Sequence, residues 1–118
     1  MVKYEAQLDA IFTALAHPAR RAMLARLGHS EATVGELARP LSMSLPAVTK
    51  HLKVLERAKL ISRSKNAQWR PSRLEEASLN LASGWIEEQR KVWESRLDRL
   101  EGYLHAMQKE QGKRDAQR

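Results

Sequence analysis

The sequence predicts a mainly α-helical chain with one small β-hairpin, on three observations. Apolar residues recur at helical spacing in successive stretches separated by Pro and Gly. Two helix-start signatures stand in the first half, Thr33-Val34-Gly35-Glu36 and Ser44-Leu45-Pro46. Paired short β-capable runs occur once, at Leu60–Arg63 and Trp69–Arg73.

Each element follows in order. Tyr4–Ala16 reads as a first helix, with Leu8, Ile11, Phe12 and Leu15 on one face. His17-Pro18 breaks it. Proline suits the first turn of a helix, so Pro18 opens a second one, with His17 as its cap. Ala22, Met23, Leu24, Ala25 and Leu27 supply its apolar face, and Gly28 ends it. Thr33-x-x-Glu36 is a capping box for a short third helix through Arg39, which Pro40 is expected to end. Leu41-Ser42-Met43 is a tight connection, and Ser44 caps a fourth helix. There Val48, Leu52 and Leu55 form a buried stripe at i, i+4, i+7, with Pro46, Thr49, Lys50, Lys53 and Arg57 opposite. The two β-capable runs, joined by Ser64–Gln68, form a hairpin with a basic tip. Trp69 is expected to pack under that hairpin; stacking on a nucleic-acid sugar is the alternative. A single long helix follows from about Glu75 to Met107. Trp93, Leu97, Leu100, Leu104 and Met107 in it are spaced 4, 3, 4, 3, a heptad-like seam that calls for a partner helix. Residues 1–108 are expected to form a single domain, with 4–16 and 75–108 as dimerisation helices, 33–58 as a helix-turn-helix and 60–73 as a wing. Residues 109–118 are expected to be a flexible tail.

Composition narrows the function. At 118 residues and 42% hydrophobic content, the chain is long enough for one modest core. It has no cysteine, which removes disulfides, thiolate nucleophiles and Cys-ligated metals. Met1–Ala10 is polar and unlike a signal peptide, and no apolar run nears the roughly 20 residues of a membrane span. The expectation is a cytoplasmic protein without a membrane partner. The net charge of +7 is unevenly placed. His17–Arg73 holds 12 Lys and Arg against Glu31, Glu36 and Glu56, a net +9. The rest of the chain carries 9 basic and 11 acidic residues, a net −2. A basic middle flanked by near-neutral segments is the footprint of a nucleic-acid contact region.

A short helix, a turn, a helix with a basic outer face, and then a basic hairpin give the order of a winged helix-turn-helix. A helix fits the major groove of double-stranded DNA, where each base pair shows a distinct pattern of donors and acceptors. The helix before it crosses the backbone and sets the angle. Lys65 and Arg70 on the hairpin are placed to reach flanking phosphates or the minor groove.

Several segments together resemble the ArsR/SmtB family of bacterial repressors. They are Ala14-Leu15-Ala16-His17-Pro18-Ala19-Arg20-Arg21, Thr33–Ala38, Ser44–Leu55 and Ala58-Lys59-Leu60-Ile61. The resemblance covers roughly residues 8–75. The long helix, with Trp85, Trp93 and Arg96–Glu101, resembles a non-metal-sensing subgroup of that family. It implies a homodimeric winged helix-turn-helix repressor that leaves a palindromic operator when an inducer, here unknown, binds. It also implies DNA contacts from the recognition helix at Leu45, Pro46, Thr49 and Lys50, to which the sequence adds Ser44 and Lys53. Leu45 stands where many members carry Gln, and Ala67-Gln68 where many carry Gly-Arg. Thr33 and Gly35 stand where metal sensors place cysteines.

No metal or other cofactor is expected. Asp98, Glu101 and His105 share a helix face at i, i+3, i+7, but one histidine is thin for a transition-metal site, and the simpler reading is a solvated, ion-paired face. His29 is expected to be exposed. His51 either touches a phosphate or packs against the second helix. Arg20 and Arg21 sit at a helix N-terminus, which disfavours cations, so one of them is expected to pair with an acid or a phosphate. Trp85 and Trp93 serve packing rather than a ligand pocket. The chain has no phosphate loop, zinc-protease motif or acid/base pair that would make it an enzyme. The alternative to a DNA-binding regulator is a winged-helix module that binds protein; the basic face argues against it.

Overall fold

The computed structural model describes residues 2–65 and 69–116, with side chains from Tyr4 onward in the first helix. The elements in chain order are α1 (Val2–Leu15), α2 (Pro18–Leu27), α3 (Val34–Leu41), α4 (Leu45–Arg57), β1 (Ile61–Arg63), β2 (Ser72–Leu74) and α5 (Glu76–Ala116). They fall into two units, Met1–Ser83 and Gly84–Arg118.

The first unit is built around α4. Val48, Leu52 and Leu55 are wholly buried, as their spacing predicts. They meet Ile11 and Ala14 of α1, Met23, Leu24 and Leu27 of α2, Leu37 and Ala38 of α3, and Leu60 and Ile61 after the helix. Ala82, in the first turns of α5, joins the same cluster. Burying one such leucine contributes about 1.5–3 kcal/mol. The corner between α4 and β1 turns on Lys59, whose φ is 59°. That corner is held from a distance: buried Ser78 of α5 donates from Oγ to the Lys59 carbonyl at 2.7 Å, and Gln7 of α1 donates to the same hydroxyl at 3.3 Å.

β1 and β2 pair antiparallel, with Ile61 opposite Leu74, Ser62 opposite Arg73 and Arg63 opposite Ser72. The second strand is shorter and later than the sequence predicts. Pro71 has no N–H to give to a ladder, so it contributes only its carbonyl, which accepts from Ser64 N–H at 3.0 Å. Trp69 and Arg70 precede the strand. Trp69 is 64% exposed, so packing under the hairpin is not what this side chain does. Asn66, Ala67 and Gln68, including the Ala67-Gln68 pair singled out above, lie outside the described residues. Ser72 also exchanges both backbone hydrogen bonds with Ala32, at 2.8 and 3.1 Å, adding a one-residue bridge to the sheet. A single extended residue between two helices leaves no periodic trace in a sequence.

Pro40 does not end α3. It occupies the last turn, and the helix stops one residue later because Ser42 takes the left-handed conformation (φ 52°, ψ 41°). From there the Ser42 and Met43 N–H groups close on the carbonyls of Arg39 and Ala38.

In the second unit α5 continues to Ala116, so residues 109–116, expected in a tail, are helical. Six of these eight residues are good helix formers, Gly112 and Asp115 being the exceptions, and the stretch continues a helix already begun. Arg90 lies within 3.7 Å of Glu87 and 3.6 Å of Glu94, and Arg114 within 4.0 Å of Glu110. Each such exposed pair adds only about 0.3–0.5 kcal/mol. The seam residues Trp93, Leu97, Leu100, Leu104 and Met107 are all at least half exposed.

Candidate nucleic-acid interface

The helices on either side of the α3–α4 turn are each capped at their start. At the start of α3, Thr33 Oγ1 accepts from the Glu36 N–H at 3.3 Å, and Glu36 Oε1 accepts from the Thr33 N–H at 3.2 Å. The hydrogen bonds from Thr33, followed by the charges of Arg26 and Arg39, hold the Glu36 carboxyl below its ordinary range. Arg26 also ties α2 to this point: it lies 3.7 Å from Glu36 and donates to the Ser30 carbonyl at 3.0 Å. Beyond the turn, Ser44 Oγ accepts from the Ala47 N–H at 3.3 Å and so begins α4 where the sequence places it.

α4 then presents two unlike faces. One is the buried stripe. The other carries Ser44, Leu45, Pro46, Lys50, Lys53 and Arg57, all exposed, with Thr49 half-buried at its edge. The sequence-derived contact residues on α4 are therefore brought together on one solvent-facing surface. Lys65 and Arg70 belong to the hairpin instead. Both are exposed, and Arg70 (φ 33°) donates from Nε to the Ser64 carbonyl at 3.3 Å. Arg39, exposed in the last turn of α3 beside the turn, adds a cation that the sequence reading left unassigned. Its only signal was the local surplus of positive charge.

His51 lies in the middle of α4 but does not belong to the exposed face. Its Nδ1 is 3.2 Å from Arg20 Nη1, and its ring is tilted against that of His17 with centroids 4.5 Å apart. Burial, then the charges of His17 and Arg20, lower its pKa from the usual 6.5. His51 therefore packs against the start of α2. His17 caps α2 as expected, accepting from the Ala19 N–H at 3.1 Å. His29 is exposed.

The two arginines at the start of α2 donate to the backbone of α1. Arg20 donates to the carbonyls of Ala14 at 2.7 Å and Thr13 at 3.0 Å, and Arg21 to that of Leu15 at 2.7 Å. These carbonyls belong to the last turn of α1, the negative end of that helix, where Thr13 also accepts from the Ala16 N–H at 3.2 Å. A charge unfavourable for its own helix is thus favourable for the one before it. Reading α2 alone could not reveal this.

Among the described residues no group of three His, Cys, Asp or Glu side chains is placed to hold a metal ion. Nor, among them, is any helix long and apolar enough to cross a membrane.

Comparison with known proteins bears on this arrangement. Residues 15–63, from the end of α1 through β1, match the family described as a helix-turn-helix domain. The chain is 53% identical over 53 residues to an HTH-type transcriptional regulator of Mycobacterium tuberculosis, a match covering 45% of this chain and 50% of that protein. This chain therefore spans about half the length of that relative. It is 31% identical over 62 residues to the transcriptional repressor SdpR of Bacillus subtilis, covering 52% of this chain and 69% of that one. A crystal structure of an ArsR family transcriptional regulator superposes with a TM-score of 0.73 at 42% identity, covering 77% of this chain and 94% of the other.

Proposed function

The chain belongs to the ArsR family of winged helix-turn-helix transcriptional regulators, and from that premise we propose that it is a homodimeric repressor binding a palindromic operator in double-stranded DNA. The observation that carries the reading is α4. It is anchored by a fully buried stripe and turns a polar, basic face to solvent at the end of a rigid helix–turn–helix. A helix in the major groove needs such a face, and the groove admits it. Residues 33–58 form the reading element, with Leu45, Pro46, Thr49 and Lys50 toward base edges and Ser44 and Lys53 toward the backbone. Lys65 and Arg70 reach the flanking phosphates from the wing. Residues 4–16 and 75–108 form the dimer, which accounts for a heptad seam left exposed on α5. Two copies then read half-sites about 34–36 Å apart. The protein works in the cytoplasm, without a metal, on a signal that its residues do not name.

The test is binding to the DNA upstream of its own gene. Neutralising several phosphates releases counterions, so affinity falls steeply between 50 and 200 mM salt, by about a thousandfold or more for 6–10 phosphate contacts. Lys50→Ala is expected to cost about 1–3 kcal/mol of operator affinity if the lysine reads a base. Affinity indifferent to salt, or capture of a protein in place of DNA, would remove the reading.

A further inference from the structure

The first turn of α4 is unusual in what it lacks. In a helix that enters a groove, the N-terminal turn meets the base edges first. Here its hydrogen-bonding capacity is largely spent or absent. Pro46 has no N–H. The Ala47 N–H is taken by Ser44 Oγ, and the Val48 N–H by the Ser44 carbonyl at 3.0 Å. The side chains of Leu45 and Pro46 offer no donor or acceptor. Leu45 is nevertheless 55% exposed and takes no part in the core cluster. An exposed leucine alone says little. This one sits at the first position of the reading helix, on the face that carries Thr49 and Lys50, where the surface offers contact only to something apolar.

Among the bases in the major groove, one presents an apolar group: thymine, through its C5 methyl. Resting on the DNA-binding reading above, we propose that Leu45, braced by Pro46, is a specificity-determining residue that selects a thymine in each operator half-site by packing on that methyl. Recognition at this position is by shape and desolvation, not by a hydrogen-bond pair. The discrimination is accordingly modest, about the burial of one methyl group.

The experiment starts with selection of duplexes by the full-length protein from a random library, followed by titration of the selected operator. Each thymine is then replaced in turn by deoxyuridine, which removes the methyl and leaves the base pair's donors and acceptors unchanged. One thymine per half-site is expected to lose about fourfold in affinity on replacement, the equivalent of roughly 0.8 kcal/mol for one buried carbon. In Leu45→Ala, whose thermal melting is checked against the parent, that loss is expected to vanish. In Leu45→Gln, which can pair with adenine N6 and N7, selection is expected to move from thymine to adenine at that position. Tight, salt-dependent binding with no methyl-sensitive thymine overturns the assignment of Leu45 and leaves the repressor reading standing. A methyl effect that persists undiminished in Leu45→Ala overturns it too. If no duplex is selected at all, both readings fall.

Discussion

The two units of this chain treat their apolar residues in opposite ways. In the first, Ile11, Val48, Leu52, Leu55 and Leu60 are wholly buried, and charge is left to the surface. In the second, Trp93 is 61% exposed and Leu97 63%, on a helix whose length alone gives it no core. The apolar residues are of similar kinds in both units, and the difference is how much of the chain packs around them. Four helices, the first turns of α5 and a hairpin close around one core before Ser83. The single helix of the second unit leaves its apolar stripe exposed, which is the face that the proposed dimer would cover.

Four changes probe that contrast, beginning with the largest effect. Leu52→Ala removes a fully buried side chain from the centre of the first unit and should cost about 2–5 kcal/mol, read as a lower denaturant midpoint. A loss under about 1 kcal/mol would mean that the core collapses to fill the cavity. Leu97→Glu with Leu100→Glu should do the reverse. The fold of the first unit survives, while sedimentation shows a monomer at concentrations where the parent is a dimer; an unchanged dimer would move the interface off the seam. Thr33→Ala takes one half of a reciprocal cap from the start of α3 and should cost about 1 kcal/mol. The smallest effect is on acidity. His51 has a folded pKa below 6.5, so the unfolded chain binds the proton more readily. The stability held by the neutral ring is complete above that value and declines as pH falls below it. Denaturation at pH values from about 8 down to about 5 should show this slope, and His51→Gln should flatten it. Parallel slopes in the two proteins would assign the acid sensitivity to other groups.

Much of the first unit was legible in the sequence because its signals are local. Thr33 with Glu36, and Ser44 before Leu45-Pro46, announce helix starts within four residues, and Val48, Leu52 and Leu55 announce a face. The exposed residues of α4 follow from those three by subtraction. What escaped was decided across elements. Pro40 reads as a stop, yet the stop is Ser42, whose left-handed backbone depends on the turn it closes. Trp69–Arg73 reads as a strand, yet strand pairing begins at Ser72, where Ala32 from a distant loop also pairs. Arg20 and Arg21 look misplaced until the end of α1 is set beside them. The end of α5 escaped for another reason, since helix propensity without an apolar pattern leaves no face to recognise.

Arg20 has one more consequence. Its guanidinium holds the Thr13 and Ala14 carbonyls of α1 with two of its nitrogens and meets His51 of α4 with the third. Three helices thus share one planar group, whose donors diverge at fixed angles. α1 cannot slide along its axis without either breaking those bonds or carrying the guanidinium away from the histidine. One side chain at the start of α2 therefore joins the end of the first helix to the middle of α4, the helix proposed to read the operator.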